Sequence, residues 1–336
     1  MKEKNIFITG VAGFLGSQLA ESLIKEGYKI KGNDNLIGGY KDNVPADVKF
    51  YKIDCNDLEK MKKITKGTDI LYHCAAHPYE GLSVFSPSMV TNSVFQATST
   101  TLSAFTQNKG ERFVFCSSMA RYGMNQTPFT EDMGARPQDP YAIAKVAAED
   151  LTKLMSRMHG FEYSIAVPHN IYGPHQKYDD PFRNVVAIFI NKMLKGEQPK
   201  IYGDGNQKRC FSYIKDDVPL LVDLGLNPLA SGETINIGPD DEFVTINYLA
   251  ETIADIIGFD LKPEYYSERP QEVQEANCSA NKAKKLFGFN PKYTLRKGLE
   301  EMVDWVKERG PKEFDYHLPV EIVNGHTPEI WSNKTM

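Results

Sequence analysis

Tyr141 and Lys145 stand four residues apart in the run Pro140-Tyr141-Ala142-Ile143-Ala144-Lys145. On a helix, positions four apart share a face, so phenol and ammonium project together. A free tyrosine has a pKa of about 10, too high for a base at neutral pH. A neighbouring ammonium favours the phenolate and lowers that value. Such a pair could take a proton from an alcohol hydroxyl. A second reactive group lies upstream, where the apolar run Phe113-Val114-Phe115-Cys116 ends in Ser117-Ser118. Ser118 would hydrogen-bond the same substrate oxygen and help pass its proton. The two serines could equally cap the strand exit, and a Tyr and a Lys on one helix face are ordinary. The pair gains its weight from what else the chain carries.

Asn5-Ile6-Phe7-Ile8-Thr9 is a short, mostly apolar run that leads straight into Gly10-Val11-Ala12-Gly13-Phe14-Leu15-Gly16. An amphipathic stretch then runs to Glu26. Strand, glycine turn and helix make a phosphate seat. The helix start offers unpaired N–H groups and a positive dipole end. Glycines let the backbone approach a pyrophosphate. A second strand over 29–33 ends in Asp34, where a carboxylate would meet an adenosine ribose. Asp34 favours NAD, because a 2′-phosphate would be repelled there. Lys31 and Lys41 leave NADP as the lesser alternative. The competing reading is a tight turn followed by a solvated Asp.

These groups must be held by a scaffold, and the rest of the first half supplies one. Strands are expected at 48–52, 69–74, 112–117 and 163–167, with helices at 57–64, 87–107 and 141–158. Alternation at this spacing predicts a doubly wound parallel α/β sheet, a Rossmann arrangement, covered on both faces. Ligands bind outside the carboxyl ends of such strands. Thr9, Asp34, Asp54, Ala75, Ser117 and Pro168 fall at those ends. After Pro168 turn-rich stretches alternate with helical patterns near 183–194, 215–226, 247–257 and 295–308. The predicted division is a cofactor domain over 1–168, partly rejoined by 206–240, a smaller substrate lobe over 169–310, and an extension over 311–336.

The chain has 336 residues, 41% hydrophobic and 25% charged, enough for a sizeable core. A net charge of −5 gives no sign of nucleic-acid binding, and no apolar run approaches a membrane span. The start, Met1-Lys2-Glu3-Lys4-Asn5, reads as carrying no secretory signal. Five cysteines without a Cys-x-x-Cys pair predict neither a disulfide framework nor a metal site. The expected compartment is a reducing cytoplasm.

The Gly-x-x-Gly-x-x-Gly spacing, the Ser-x-x-x-Tyr-Gly of Ser118 to Gly123 and the Tyr141/Lys145 pair resemble the extended short-chain dehydrogenase/reductase family. Nearly the whole chain resembles its nucleotide-sugar epimerase/dehydratase group, of which UDP-glucose 4-epimerase is the familiar member. That resemblance implies Ser118, Tyr141 and Lys145 as catalytic residues and NAD as cofactor. It places Gly10, Gly13, Phe14, Leu15 and Gly16 on the cofactor, followed by Asp34 and Asn35. Asp54 and Cys55 would lie near the adenine. Ala75, Ala76, His77, Asn92 and Pro168 would line the rest of that site. Asn170, in Asn170-Ile171-Tyr172-Gly173-Pro174, would lead into the sugar site beside Tyr79, Ser118, Met119 and Ala120. Arg209, after Ile201-Tyr202-Gly203-Asp204-Gly205, and Arg269 would clamp a diphosphate. Each arginine could also be a plain surface ion pair. The family further implies a homodimer through the two long helices, with Phe95, Leu102, Phe105, Leu151, Leu154 and Met158 as anchors.

The departures narrow the chemistry. The family's 4,6-dehydratases carry an Asp-Glu pair after the Ser/Thr, and its decarboxylases use a nearby Glu. Met119 and Ala120 hold those positions here and cannot act as acid or base. The segment 77–85 is unusually aromatic and could line an altered sugar pocket or pack beneath a loop. His77 and His169 could be extra acid/base groups or satisfied structural residues. Met119 and Arg121 could touch substrate. The resulting expectation is an NAD-dependent nucleotide-sugar 4-epimerase. The same residues would serve a 4-dehydrogenase or ketoreductase; a dehydratase or a non-catalytic NAD-binding protein fits less well.

Overall fold

Seven parallel strands form the central sheet: β1 (Ile6–Thr9), β2 (Ile30–Asp34), β3 (Lys49–Lys52), β4 (Ile70–His73), β5 (Arg112–Cys116), β6 (Glu162–Pro168) and β7 (Thr234–Ile237). The computed structural model describes residues 4–268 and 273–336. The strand order is β7-β6-β5-β4-β1-β2-β3, with Ile6 of β1 in register with Ile30 of β2 and Ile70 of β4. The chain reverses its direction of travel between β1 and β4. That is the point where a doubly wound sheet opens a ligand crevice.

Alternation along the strands builds two cores. Ile6, Ile8, Tyr72 and Val114 face one side, with Leu19 and Leu23 of α1 (Phe14–Lys25). Phe7, Leu71, Phe113 and Phe115 face the other, with Leu102 and Phe105. That second face carries α2 (Leu58–Ile64), α3 (Ala97–Gln107) and α4 (Pro140–His159). Each such buried side chain contributes about 1.5–3 kcal/mol. The helix expected over 87–107 comes in three pieces. Pro87–Thr91 and α3 flank a π-helical turn at Asn92–Gln96. Such turns concentrate at functional sites, and Asn92 opens this one.

Two helix starts decide the site. Asp139 caps α4, accepting from the Ala142 N–H at 2.8 Å, and Pro140 takes the first turn. Gly160 ends that helix in a left-handed conformation (φ 78°). α1 begins differently. Gly13 stands at its N-cap with no capping side chain, and no acid lies in its first turn. Its first residues line the crevice, and the first N–H groups of a helix have no intrahelical partner.

The second half returns to the sheet and also leaves it. β7 pairs with β6, and α6 (Ile214–Leu226) packs beside α1. Between α4 and α6 lies α5 (Val185–Leu194), which packs with α7 (Ile246–Ile257) and a later helix, Leu295–Arg309. Small strands complete this lobe: Lys200–Tyr202 pairs with Glu264–Tyr266, and Lys208–Arg209 with Val244–Thr245 and Glu275–Ala276. Residues 311–336 run back over the crevice and include a short helix, Glu329–Ser332.

Candidate active site

A cleft of about 850 Å³ follows the carboxyl edge of the sheet. It is within the usual size of ligand clefts, about 300–1,000 Å³. Its floor is the glycine loop. Gly10 has φ +69°, and a Cβ there would lie 2.9 Å from Ala75 Cα at the exit of β4. A Cβ on Gly16 would lie 2.3 Å from the Gly10 carbonyl oxygen. The loop is therefore wedged between the two strands and its own helix, leaving the uncapped helix start open. Gly13, Phe14 and Leu15 line the cleft beside Gly10 and Gly16.

At the end of β2 the Asp34 carboxylate accepts from the Ala12 N–H at 3.0 Å and the Leu36 N–H at 2.7 Å. Burial pushes its pKa up, and these backbone bonds pull it back. Asn35 donates to Asp54 at 2.8 Å, and both line the cleft with Cys55 and Asn92. Lys31 and Lys41, the lysines that kept NADP open, are directed elsewhere. Lys31 reaches the Lys66 carbonyl, and Lys41 sits over the Phe50 ring.

Tyr141 lies in the first turn of α4, buried, and lines the cleft together with Ser118. Burial raises its pKa most, and the Glu80 carboxylate raises it further; the Ser118 hydroxyl lowers it. Lys145 is buried with its Nζ donating to the Cys116 carbonyl at 2.5 Å, 5.7 Å from the centroid of the Tyr141 ring. Burial lowers the Lys145 pKa to about 8. Arg183 also lowers the Tyr141 pKa by its charge, while the Lys145 ammonium is turned onto a strand carbonyl.

The two serines separate cleanly. Ser117 donates to the buried Glu149 carboxylate, which also pairs with Arg121 at 3.0 Å. The Ser117 hydroxyl is thereby engaged at the cleft edge, and Arg121 is locked behind the site. Ser118 remains facing Tyr141. Met119 and Ala120 follow in a tight turn and line the cleft with Ala75, Ala76, His77 and Pro168. Asn170 adopts φ 43°, a conformation asparagine tolerates, and donates to the Cys210 carbonyl at 2.9 Å. Arg209 lines the lobe side, its guanidinium donating to the Lys208 and Val273 carbonyls.

Two expected residues stand apart. Tyr79 is not among the lining residues. Its hydroxyl donates to Asp180 at 2.5 Å and its ring packs on Phe182, so it is wall structure. His169 faces away, with Nε2 on the Pro239 carbonyl at 2.8 Å. His77 does line the cleft, and burial lowers its pKa to about 4, which keeps it neutral at pH 7. Arg269 lies outside the described residues. Among the described residues, no cluster of His, Cys, Asp or Glu could hold a metal ion.

The sequence reading missed Arg183, Glu80 and Trp331, all of which line the cleft. Arg183 is mostly covered, with 10% of its side chain exposed; it donates to the Gly38 carbonyl at 2.6 Å and lies 5.2 Å over the Tyr79 ring. The one available signal was an arginine directly before Asn184, which caps the strongly apolar α5.

The pattern of the NAD dependent epimerase/dehydratase family matches residues 6–238. The chain belongs to that family. The family protein described here is an NAD-dependent enzyme of the extended short-chain dehydrogenase/reductase type. The chain is 34% identical over 307 residues to a Methanocaldococcus jannaschii protein provisionally named a UDP-glucose 4-epimerase, covering 90% of this chain and 98% of that one. It is 30% identical over 321 residues to the UDP-N-acetyl-alpha-D-glucosaminuronate decarboxylase of Bacillus cytotoxicus, covering 91% and 98%. The crystal structure of UDP-glucose 4-epimerase from Thermotoga maritima, with UDP-glucose, matches with a TM-score of 0.83 and 31% identity, covering 91% and 99%. For this enzyme the cradle around Gly10 and Gly16, the uncapped start of α1 and the buried Asp34 fit NAD.

Proposed function

We propose that the enzyme is a UDP-sugar 4-epimerase. The observation that carries this is the placement of Tyr141 and Ser118 together in the cleft at the sheet edge, followed by Met119 and Ala120, which cannot move protons. The UDP and the C4 chemistry rest on the names of the relatives, among which a decarboxylase also stands. A carboxylate where Met119 or Ala120 stands would have favoured elimination or decarboxylation.

In this reading the glycine loop, the start of α1, Asp34 and Asn35 hold NAD. NAD, when bound, supplies the oxidising and reducing equivalents at C4. Tyr141 takes the proton of the C4 hydroxyl and later returns it. Ser118 holds the same oxygen and keeps the phenol aligned. Lys145, fixed on the Cys116 carbonyl, keeps a positive charge beside the cofactor site. Asn170 and Arg209 orient the nucleotide sugar, with Arg209 on the diphosphate. The 4-keto sugar turns over within the cleft before reduction. Residues 1–168 with 206–240 serve the cofactor, and 169–310 the substrate.

We read the assembly as a homodimer. Leu102 and Phe105 belong to the sheet core, but Phe95, Leu154 and Met158 are exposed apolar residues on the two long helical stretches. Replacing Tyr141 by Phe tests the catalytic reading. NAD content should stay at the wild-type level while turnover falls by about 10³-fold or more. Near-normal turnover would remove Tyr141 from the chemistry.

A further inference from the structure

We propose that residues 311–336 form a strap over the sugar end of the cleft, with Trp331 packed against the sugar ring. This inference rests on the nucleotide-sugar reading above.

The relatives described above are matched over 98–99% of their own length, yet only 90–91% of this chain is used. About a tenth of the chain is additional to them. The strap is tied down at three separate places. At the lobe, Asn191 exchanges two hydrogen bonds with the Lys312 backbone, at 2.8 and 2.9 Å. On the cofactor half, the Glu321 carboxylate accepts from the Ser88 and Met89 N–H groups at 2.9 and 2.8 Å, and Ser86 donates to the Pro319 carbonyl at 2.8 Å. Back on the lobe, Lys200 donates to the Thr335 carbonyl. One segment therefore bridges both halves across the opening between them.

What the strap presents to the cleft is Pro328, Trp331 and Met336. Trp331 is 4% exposed, edge-on to Phe182 at 5.4 Å and to Phe85 at 6.0 Å between ring centroids. Its position along the cleft follows from Met89. That side chain packs both with the cluster around Trp331 and with the cluster around Tyr141. The strap's wall thus lies at the end of the cleft beside the reacting hydroxyl. Pyranose rings carry apolar C–H faces that pack on aromatic rings. The Trp331 Nε1–H is buried and has no acceptor among the described residues. A sugar hydroxyl beside it would supply one. A wall here also keeps water from the 4-keto sugar.

The chain has two tryptophans, Trp305 and Trp331, so a Trp305→Phe protein reports on Trp331 alone. Binding of UDP-glucose and of UDP is measured by calorimetry and by tryptophan emission in that background. UDP-glucose should change the emission saturably and UDP should not. Trp331→Ala should weaken UDP-glucose about tenfold and UDP less than about twofold. Trp331→Phe, which keeps the packing, should recover most of the loss. NAD content and melting temperature should stay at wild-type values in the Phe variant. Equal weakening of both ligands, or unaltered affinity with silent emission, overturns the strap while the 4-epimerase reading stands. If the wild-type protein binds neither ligand, the UDP-sugar reading falls and the strap with it.

Discussion

Lys145 gives its hydrogen bond to the Cys116 carbonyl, 2.5 Å away, while standing 5.7 Å from the centroid of the Tyr141 ring. The ammonium is buried and its pKa is held at about 8, below the ordinary 10.5. The unfolded chain therefore binds more protons than the folded one between those two values. Stability should rise with pH across that window, and the cost is present in full below it. Lys145→Met removes the cost together with the Cys116 hydrogen bond. At pH 7 it should stabilise the protein by about 1–2 kcal/mol, while turnover collapses. Urea unfolding as a function of pH checks this. A variant less stable than wild type at neutral pH contradicts it.

Glu80 and Ser118 act on Tyr141 in opposite senses. The Glu80 charge raises the tyrosine pKa, and the Ser118 hydroxyl lowers it. Tyr141 must lose its proton to act as a base. Glu80→Gln should therefore move the acidic limb of the kcat/KM profile to lower pH, by about half a unit to one unit. Ser118→Ala should move it to higher pH and cut turnover by about 10²-fold. Shifts in the same direction would disconnect the two groups from Tyr141.

The glycine loop makes a graded prediction. Gly10 and Gly67 both have positive φ, +69° and +72°, but only at Gly10 would a Cβ meet backbone, at 2.9 Å from Ala75. Gly67→Ala should cost about 1 kcal/mol from backbone strain alone. Gly10→Ala should cost about 2–3 kcal/mol and also strip NAD from the purified protein, because the Ala75 strand exit must move. NAD content and urea midpoints measure both. Full NAD occupancy in Gly10→Ala would separate the loop from the cofactor.

Much of this was legible in the sequence, for local reasons. Gly10, Gly13 and Gly16 occupy positions where backbone geometry admits little else. Tyr141 and Lys145 share a helix face set by the Asp139-Pro140 start. Tyr79 was misread because aromatic character does not say which way a ring turns. The helix at Glu80–Ser83 follows directly, and the ring goes inward to Asp180 and Phe182. Trp331 gave no local signal at all, and Arg183 only its place before the Asn184 cap. They reach the cleft only because α5 and the 311–336 segment fold back onto the cofactor half. The π-helical turn at Asn92 was hidden inside an apolar pattern that reads as one helix.

The dimer reading is tested at exposed positions. Leu154 is 45% and Met158 68% exposed, so aspartate there should leave the monomer's fold intact. The double substitution Leu154→Asp with Met158→Asp should halve the mass found by light scattering. An unchanged mass would exclude this face as the interface.

The central claim concerns what happens at C4, and one incubation addresses it. The purified enzyme is mixed with UDP-, GDP-, CDP- and dTDP-sugars, and nicotinamide absorbance and sugar configuration are followed together. The account predicts a C4 epimer of a UDP-sugar with no net NADH. Stoichiometric NADH, or loss of water or carbon dioxide from the sugar, would contradict it.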